Sequence, residues 1–169
     1  MLTGYFISVF LHILCAMIWV GGLIFFVIVF VPLLRNPEYK NVAPKIVLWA
    51  GERFRFWGWI VFGLLLTTGL YNVFARGYSW GDFFKFEFYD SHFGHTLGIK
   101  ITLFMLLLVL GGLHDFWLGP KATRMWRDTP DHPSVPGLRK AASWIGRVNL
   151  LISLMIVFLA IMIVRGNPW

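Results

Sequence analysis

Charge and cysteine are what this sequence has little of. Only 14% of its 169 residues are charged, and just eight are acidic. A soluble domain carries about 25% charged residues, so a water-facing globule is excluded. Intrinsic disorder is excluded too, because such segments are poor in the apolar residues that dominate here. The one cysteine, Cys15, has no partner for an internal bridge, which rules out a disulfide scaffold. No internal repeat or low-complexity tract breaks the chain, and its length suits a single bundle over 1–169. What is present is 58% hydrophobic and 18% aromatic.

The apolar residues fall into long runs. A helix needs about 20 mostly apolar residues to cross the hydrocarbon layer. Four such runs are predicted, at about Tyr5–Leu34, Phe56–Phe74, His95–Leu118 and Ala141–Val164. The first is too long for a signal peptide and has no basic leader, so it reads as a span. Gly119-Pro120 is the expected stop of the third. The fold class predicted is an all-α, integral membrane four-helix bundle.

The net charge of +7 is distributed unevenly. Ten basic residues lie in the first and third connections: Arg35, Lys40, Lys45, Arg53 and Arg55, then Lys121, Arg124, Arg127, Arg139 and Lys140. Arg76, Lys85 and Arg165 are the three elsewhere outside the spans. The positive-inside rule then places these two connections in the cytoplasm and both termini on the outer, periplasmic side. Membrane topology therefore accounts for the charge, and no nucleic-acid partner is implied. Trp57, Trp59, Trp117 and Trp144 are expected in an aromatic belt at the inner interface, with Trp80 and Trp169 at the outer one. The second connection interleaves Phe83, Phe84, Phe86, Phe88, Tyr89 and Phe93 with Lys85, Glu87 and Asp90. So many rings predict a flap lying at the interface over the outer mouth, as a headgroup anchor or a lid.

Polar side chains within the spans are functional candidates by default. With about 1.5 Å of rise per residue, His12 lies roughly 10 Å into the first helix, at a height similar to His95 and Lys100 on the third. His114 follows His95 by nineteen residues, so it lies about 30 Å lower and belongs to a different site. Cys15 shares a helical face with His12. Met162 and His92 come within reach at the outer end. Imidazole, thiolate and thioether together suit copper better than calcium or magnesium. Cys15 and Met162 also have an ordinary reading as core packing, and Lys100 one as a snorkelling side chain. His12 is different, since a lone buried imidazole requires a partner. At the inner end, His114 and Asp115 form a second candidate group, with Asp115 expected to pair an arginine. Asn149 and Ser153 are expected to hydrogen-bond between helices, and Gly21-Gly22, Gly111-Gly112 and Thr67-Thr68-Gly69 to allow close helix approach.

Several of these motifs match a known pattern. Leu11-His12-Ile13-Leu14 leading to Trp19-Val20-Gly21-Gly22 and Pro32 resembles the first helix of the CopD-like membrane proteins. Arg53-Phe54-Arg55 with Leu66-Thr67-Thr68-Gly69-Leu70-Tyr71-Asn72 resembles their second. Gly94 through Lys100 resembles the entry to the third, and His114-Asp115-Phe116-Trp117-Leu118-Gly119-Pro120 its exit. The resemblance covers nearly the whole chain in order. It implies a multi-pass protein of the bacterial inner membrane engaged in copper resistance or uptake. The HemJ-like protoporphyrinogen oxidases are more distantly similar, and there the first-helix histidine and third-helix lysine resemble His12 and Lys100.

Two chemistries follow as expectations. In the first, His12 and His95, with Cys15, His92 and Met162, capture copper at the outer face. In the second, haem b is held by His12 with His95 or Lys100, in electron transfer or oxidation. A structural subunit of a larger membrane complex is the third reading. The partners expected are the bilayer, a periplasmic metal or electron carrier, and further copies or subunits.

Overall fold

The computed structural model describes residues 2–39 and 41–166. Lys40 and Trp169, used above in the charge and aromatic-belt arguments, lie outside these residues. Four long helices make up the protein: α1 Leu2–Leu33, α2 Ala43–Phe74, α3 His92–Asp128 and α4 Val135–Arg165. Each is long and apolar enough to cross a membrane. No strand occurs among the described residues. Large apolar side chains such as Phe10, Met17, Ile28, Leu151 and Ile161 point outward, as lipid-facing residues do. The chain is a multi-pass membrane protein in contact with lipid.

Three helices extend past the apolar runs. Helix α2 begins at Ala43 rather than near Phe56, started by Pro44 in its first turn. Lys45, Arg53 and Arg55 therefore stand on a helix and not in a loop. Helix α4 begins at Val135, again with a proline in the first turn. Helix α3 does not stop at Gly119-Pro120 but runs on to Asp128. The reason is a π-helical turn at His114–Leu118, where the Gly119 N–H bonds the His114 carbonyl five residues back. A proline ring ordinarily collides with the carbonyl four residues before it, and the wider turn relieves that conflict. The same device recurs in α1: a π turn at Phe26–Phe30, with the Val31 N–H on the Phe26 carbonyl, directly precedes Pro32.

Helix α1 packs along α2, and α3 along α4. Trp19 ties the pairs together. It is buried, stacks on Phe54 with centroids 5.3 Å apart, packs against Phe62 at 4.3 Å and donates to Ser153 Oγ at 3.0 Å. Ser153 in turn donates to the Asn149 carbonyl at 2.7 Å. Cys15, Leu23, Val61 and Leu107 complete this core. Two glycines make room for it: a β-carbon on Gly58 would lie 2.8 Å from the Trp19 ring, and one on Gly22 2.5 Å from Phe54. Gly22 was among the expected small contacts, whereas Gly58 was not. Trp59 leaves the expected belt, turning inward against Phe62 and Phe116. Trp57, Trp117 and Trp144 are exposed as a belt requires.

The flap is folded. Trp80–Phe84 forms a 3-10 turn and Phe86–Asp90 a short helix. Phe83, Phe88 and Phe93 pack with Val73, Tyr78 and Leu97, and Tyr78 stacks on Phe93 at 4.8 Å. Phe84 and Phe86 face outward, 85% and 92% exposed, in the position of interfacial anchors. Asp82 holds the first turn, accepting from the Ser79 N–H, the Ser79 hydroxyl and Lys85 Nζ, each at 2.8 Å. The Lys85 hydrogen bond, followed by those from Ser79, lowers the Asp82 pKa from the ordinary 3.8 to about 2. A depressed carboxylate contributes stability above its unfolded pKa and loses it as pH falls through the folded one. The turn should therefore hold from neutral pH down to about 4 and loosen between there and about 2. Hydrogen exchange at the Ser79 amide across that window measures it, and Asp82→Asn should show the loosened state at every pH.

Candidate functional site

Two polar centres lie at opposite ends of the bundle. The first is built around His12, half-buried in α1 against α2. Gly69 leaves space for the ring, since a β-carbon there would lie 3.3 Å from His12 Cε1. The ring contacts Thr68 Oγ1 through Nδ1 at 2.8 Å. The Thr68 hydroxyl has one proton, and it goes to the Leu64 carbonyl at 2.5 Å. Nδ1 must then be the donor to Thr68 Oγ1. This selects the tautomer in which Nε2 bears the lone pair, as an outer-shell partner does for a ligating histidine.

Lys100 lies on α3 at a height similar to His12 and is half-buried. His95 stands elsewhere. It lies about 140° around the helix from Lys100, exposed in a shallow groove with Phe83, Tyr89 and Thr102. His92 reaches across to α4, its Nε2 3.4 Å from the Met162 backbone carbonyl. Cys15, 4% exposed, is enclosed by the apolar core below His12. Among the described residues no three His, Cys, Asp or Glu side chains converge to hold a metal ion.

The second centre is a cavity of about 810 Å³ between the ends of the helices that carry the basic connections. His114 and Asp115 line it, and His114 Nδ1 bonds Asp115 Oδ1 at 2.9 Å. The expected Asp115–arginine pair takes a different form. Arg55 donates to the Asp115 backbone carbonyl at 2.9 Å and lies over the Phe116 ring at 5.6 Å. The π turn explains this, because its widened spacing frees backbone carbonyls that an α-helix would engage. Both π turns line this cavity, through Phe26 and Phe30 on one side and His114 and Asp115 on the other. Sequence reasoning missed that convergence, although each proline that follows a π turn was visible.

Four membrane-spanning helices, a first-helix histidine in contact with a threonine, and a basic cavity at the opposite end define a small multi-pass membrane protein with polar centres at both ends. The chain belongs to the Copper resistance protein D family, CopD, whose pattern it matches over residues 48–164. It is 30% identical over 164 residues to an uncharacterized protein of Aquifex aeolicus (strain VF5), covering 93% of each chain. It is also 34% identical over 105 residues to the Copper transport protein CutJ of Bacillus subtilis (strain 168). That match takes in 62% of this chain and 18% of CutJ. No solved structure matches. With its four apolar helices, family membership makes this a multi-pass inner-membrane protein with a copper-related function.

Proposed function

We propose that the protein captures copper at its outer mouth and passes it into the membrane through His12. The observation that carries this reading is the Thr68 contact, which engages His12 through Nδ1 and leaves the Nε2 lone pair available to a metal. His92 and Met162 form the approach to it. A soft monovalent copper ion suits imidazole and thioether donors. Few ligands are an advantage for cargo, because a site that must release its ion is built to hold it weakly. The name of the CutJ relative supports the direction of this reading. His95, on the outer flank, has no part in it, and neither does haem.

The reading requires the His12 end to face the periplasm, with both termini on that side. The basic residues of the first and third connections support this orientation. Reporter fusions after Arg165 and within the 129–134 loop test it. The first should report periplasmic and the second cytoplasmic, and a cytoplasmic signal after Arg165 would reverse the orientation. Function is tested in cells lacking their own copper importers. Expression of the chain should change cell-associated copper and copper tolerance together, and no change in either would overturn the proposal.

A further inference from the structure

The inner cavity has a composition that copper capture leaves unexplained. Its walls near Trp19, Leu23, Phe26 and Phe30 are apolar, while six cations line it: Arg35, Arg55, Arg124, Arg139, Lys140 and Arg147. Against these stand two carboxylates, Glu52 and Asp115, and Asp115 already serves His114. None of the six cations forms a salt bridge among the described residues. Arg35 and Arg139 line the same cavity, and like charges gathered on one wall favour an anion among them. Aromatic rings hold several of the heads in place: Trp126 lies 3.5 Å from Arg139 Cζ, and Trp144 5.4 Å from Arg147 Cζ.

Two further observations point to an occupant. Asn149, only 5% exposed, lines the same cavity with its Oδ1 buried and unpartnered. A buried carbonyl oxygen without a donor is costly, so a ligand hydroxyl is its natural complement. The two π turns also converge here, and such turns are frequent at functional sites. The volume falls within the roughly 300–1,000 Å³ of ligand pockets.

We infer that this cavity binds the headgroup of an anionic glycerophospholipid, with phosphate on the guanidinium groups, a headgroup hydroxyl on Asn149, and an acyl chain along the Phe26–Phe30 wall. Basic pockets between helices are suited to this chemistry. Both phosphate and hydroxyl are present in phosphatidylglycerol.

The experiment uses purified full-length protein in mixed micelles of phosphatidylglycerol and phosphatidylcholine, with retained lipid counted by native mass spectrometry. Wild-type protein should retain phosphatidylglycerol selectively. Arg139→Gln with Arg147→Gln should weaken that retention about thirtyfold. Arg35→Gln with Arg124→Gln is the second pair, used should the first not fold. Lys121→Gln, at the same end but outside the cavity, should change nothing. Equal retention of phosphatidylcholine would overturn the inference, as would an equal loss in Lys121→Gln. Inorganic phosphate raising the melting temperature of lipid-free protein as much as phosphatidylglycerol does would replace the lipid with a soluble anion. Copper binding by these variants should match wild type, separating failure here from failure of the copper reading.

Discussion

A His12→Ala protein is expected to lose its copper(I) binding, with affinity falling by more than about 100-fold, while the four helices stay inserted. Insertion depends on apolar spans and not on this imidazole. The expected loss is larger than for an outer-shell partner, whose removal typically costs 10–100-fold in affinity. Thr68→Val falls in that smaller range: it keeps the ring but removes the acceptor that holds Nδ1–H. His95→Ala should bind copper as wild type does, because His95 lies on the exposed flank of α3. Competition with a chromophoric copper(I) chelator measures all three. Full copper retention in His12→Ala would remove this residue from the function.

The second large effect is structural. Gly94→Ala should detach the flap, because the new β-carbon would lie 1.9 Å from the Phe88 carbonyl oxygen and 2.7 Å from its carbon. These are backbone atoms, so no side-chain rotation gives relief. The short helix Phe86–Asp90 has to move, taking Phe88 away from Val73 and Leu97. Overpacking of this kind costs 1–3 kcal/mol and sometimes more. At about 3 kcal/mol the opening equilibrium shifts by about 100-fold. Ser91→Ala is the milder comparison: Ser91 Oγ accepts from the Gly94 N–H at 3.0 Å, and such a cap is worth about 1 kcal/mol. Limited proteolysis between Ser79 and Ser91 should rank Gly94→Ala above Ser91→Ala above wild type. Wild-type resistance in Gly94→Ala would contradict the packing described.

The spans were legible in the sequence because hydropathy reports which residues lipid tolerates. It does not report where a helix ends. The charged turns around Glu52, Arg53 and Arg55 fail a membrane test while remaining good helix, so the start of α2 at Ala43 was out of sight. Heights were legible as well, since a fixed rise converts residue number into depth. His12 contacts Thr68, whereas His114 lines the cavity at the other end of the bundle. Angles around the axis were not, because they depend on which face each neighbour covers. That is why His95, about 140° around α3 from Lys100, lies exposed on the flank although the two share a similar height. Gly58 was invisible for a related reason: its role exists only because Trp19 from another helix presses on it.

A π turn is, in chain terms, an α-helix carrying one inserted residue. Beyond Phe30 and beyond Leu118, each helix is therefore out of phase by about 100° with the part before it. Arg124 owes its bearing toward the cavity to that offset, and in α1 the offset sets where the chain leaves the helix toward Arg35. Deleting one residue from either turn would keep composition, hydropathy and charge unchanged, yet swing the downstream cations away. A helical wheel drawn straight through either helix assigns those residues to the wrong side. The same holds for an alignment that places a gap anywhere but inside these two turns.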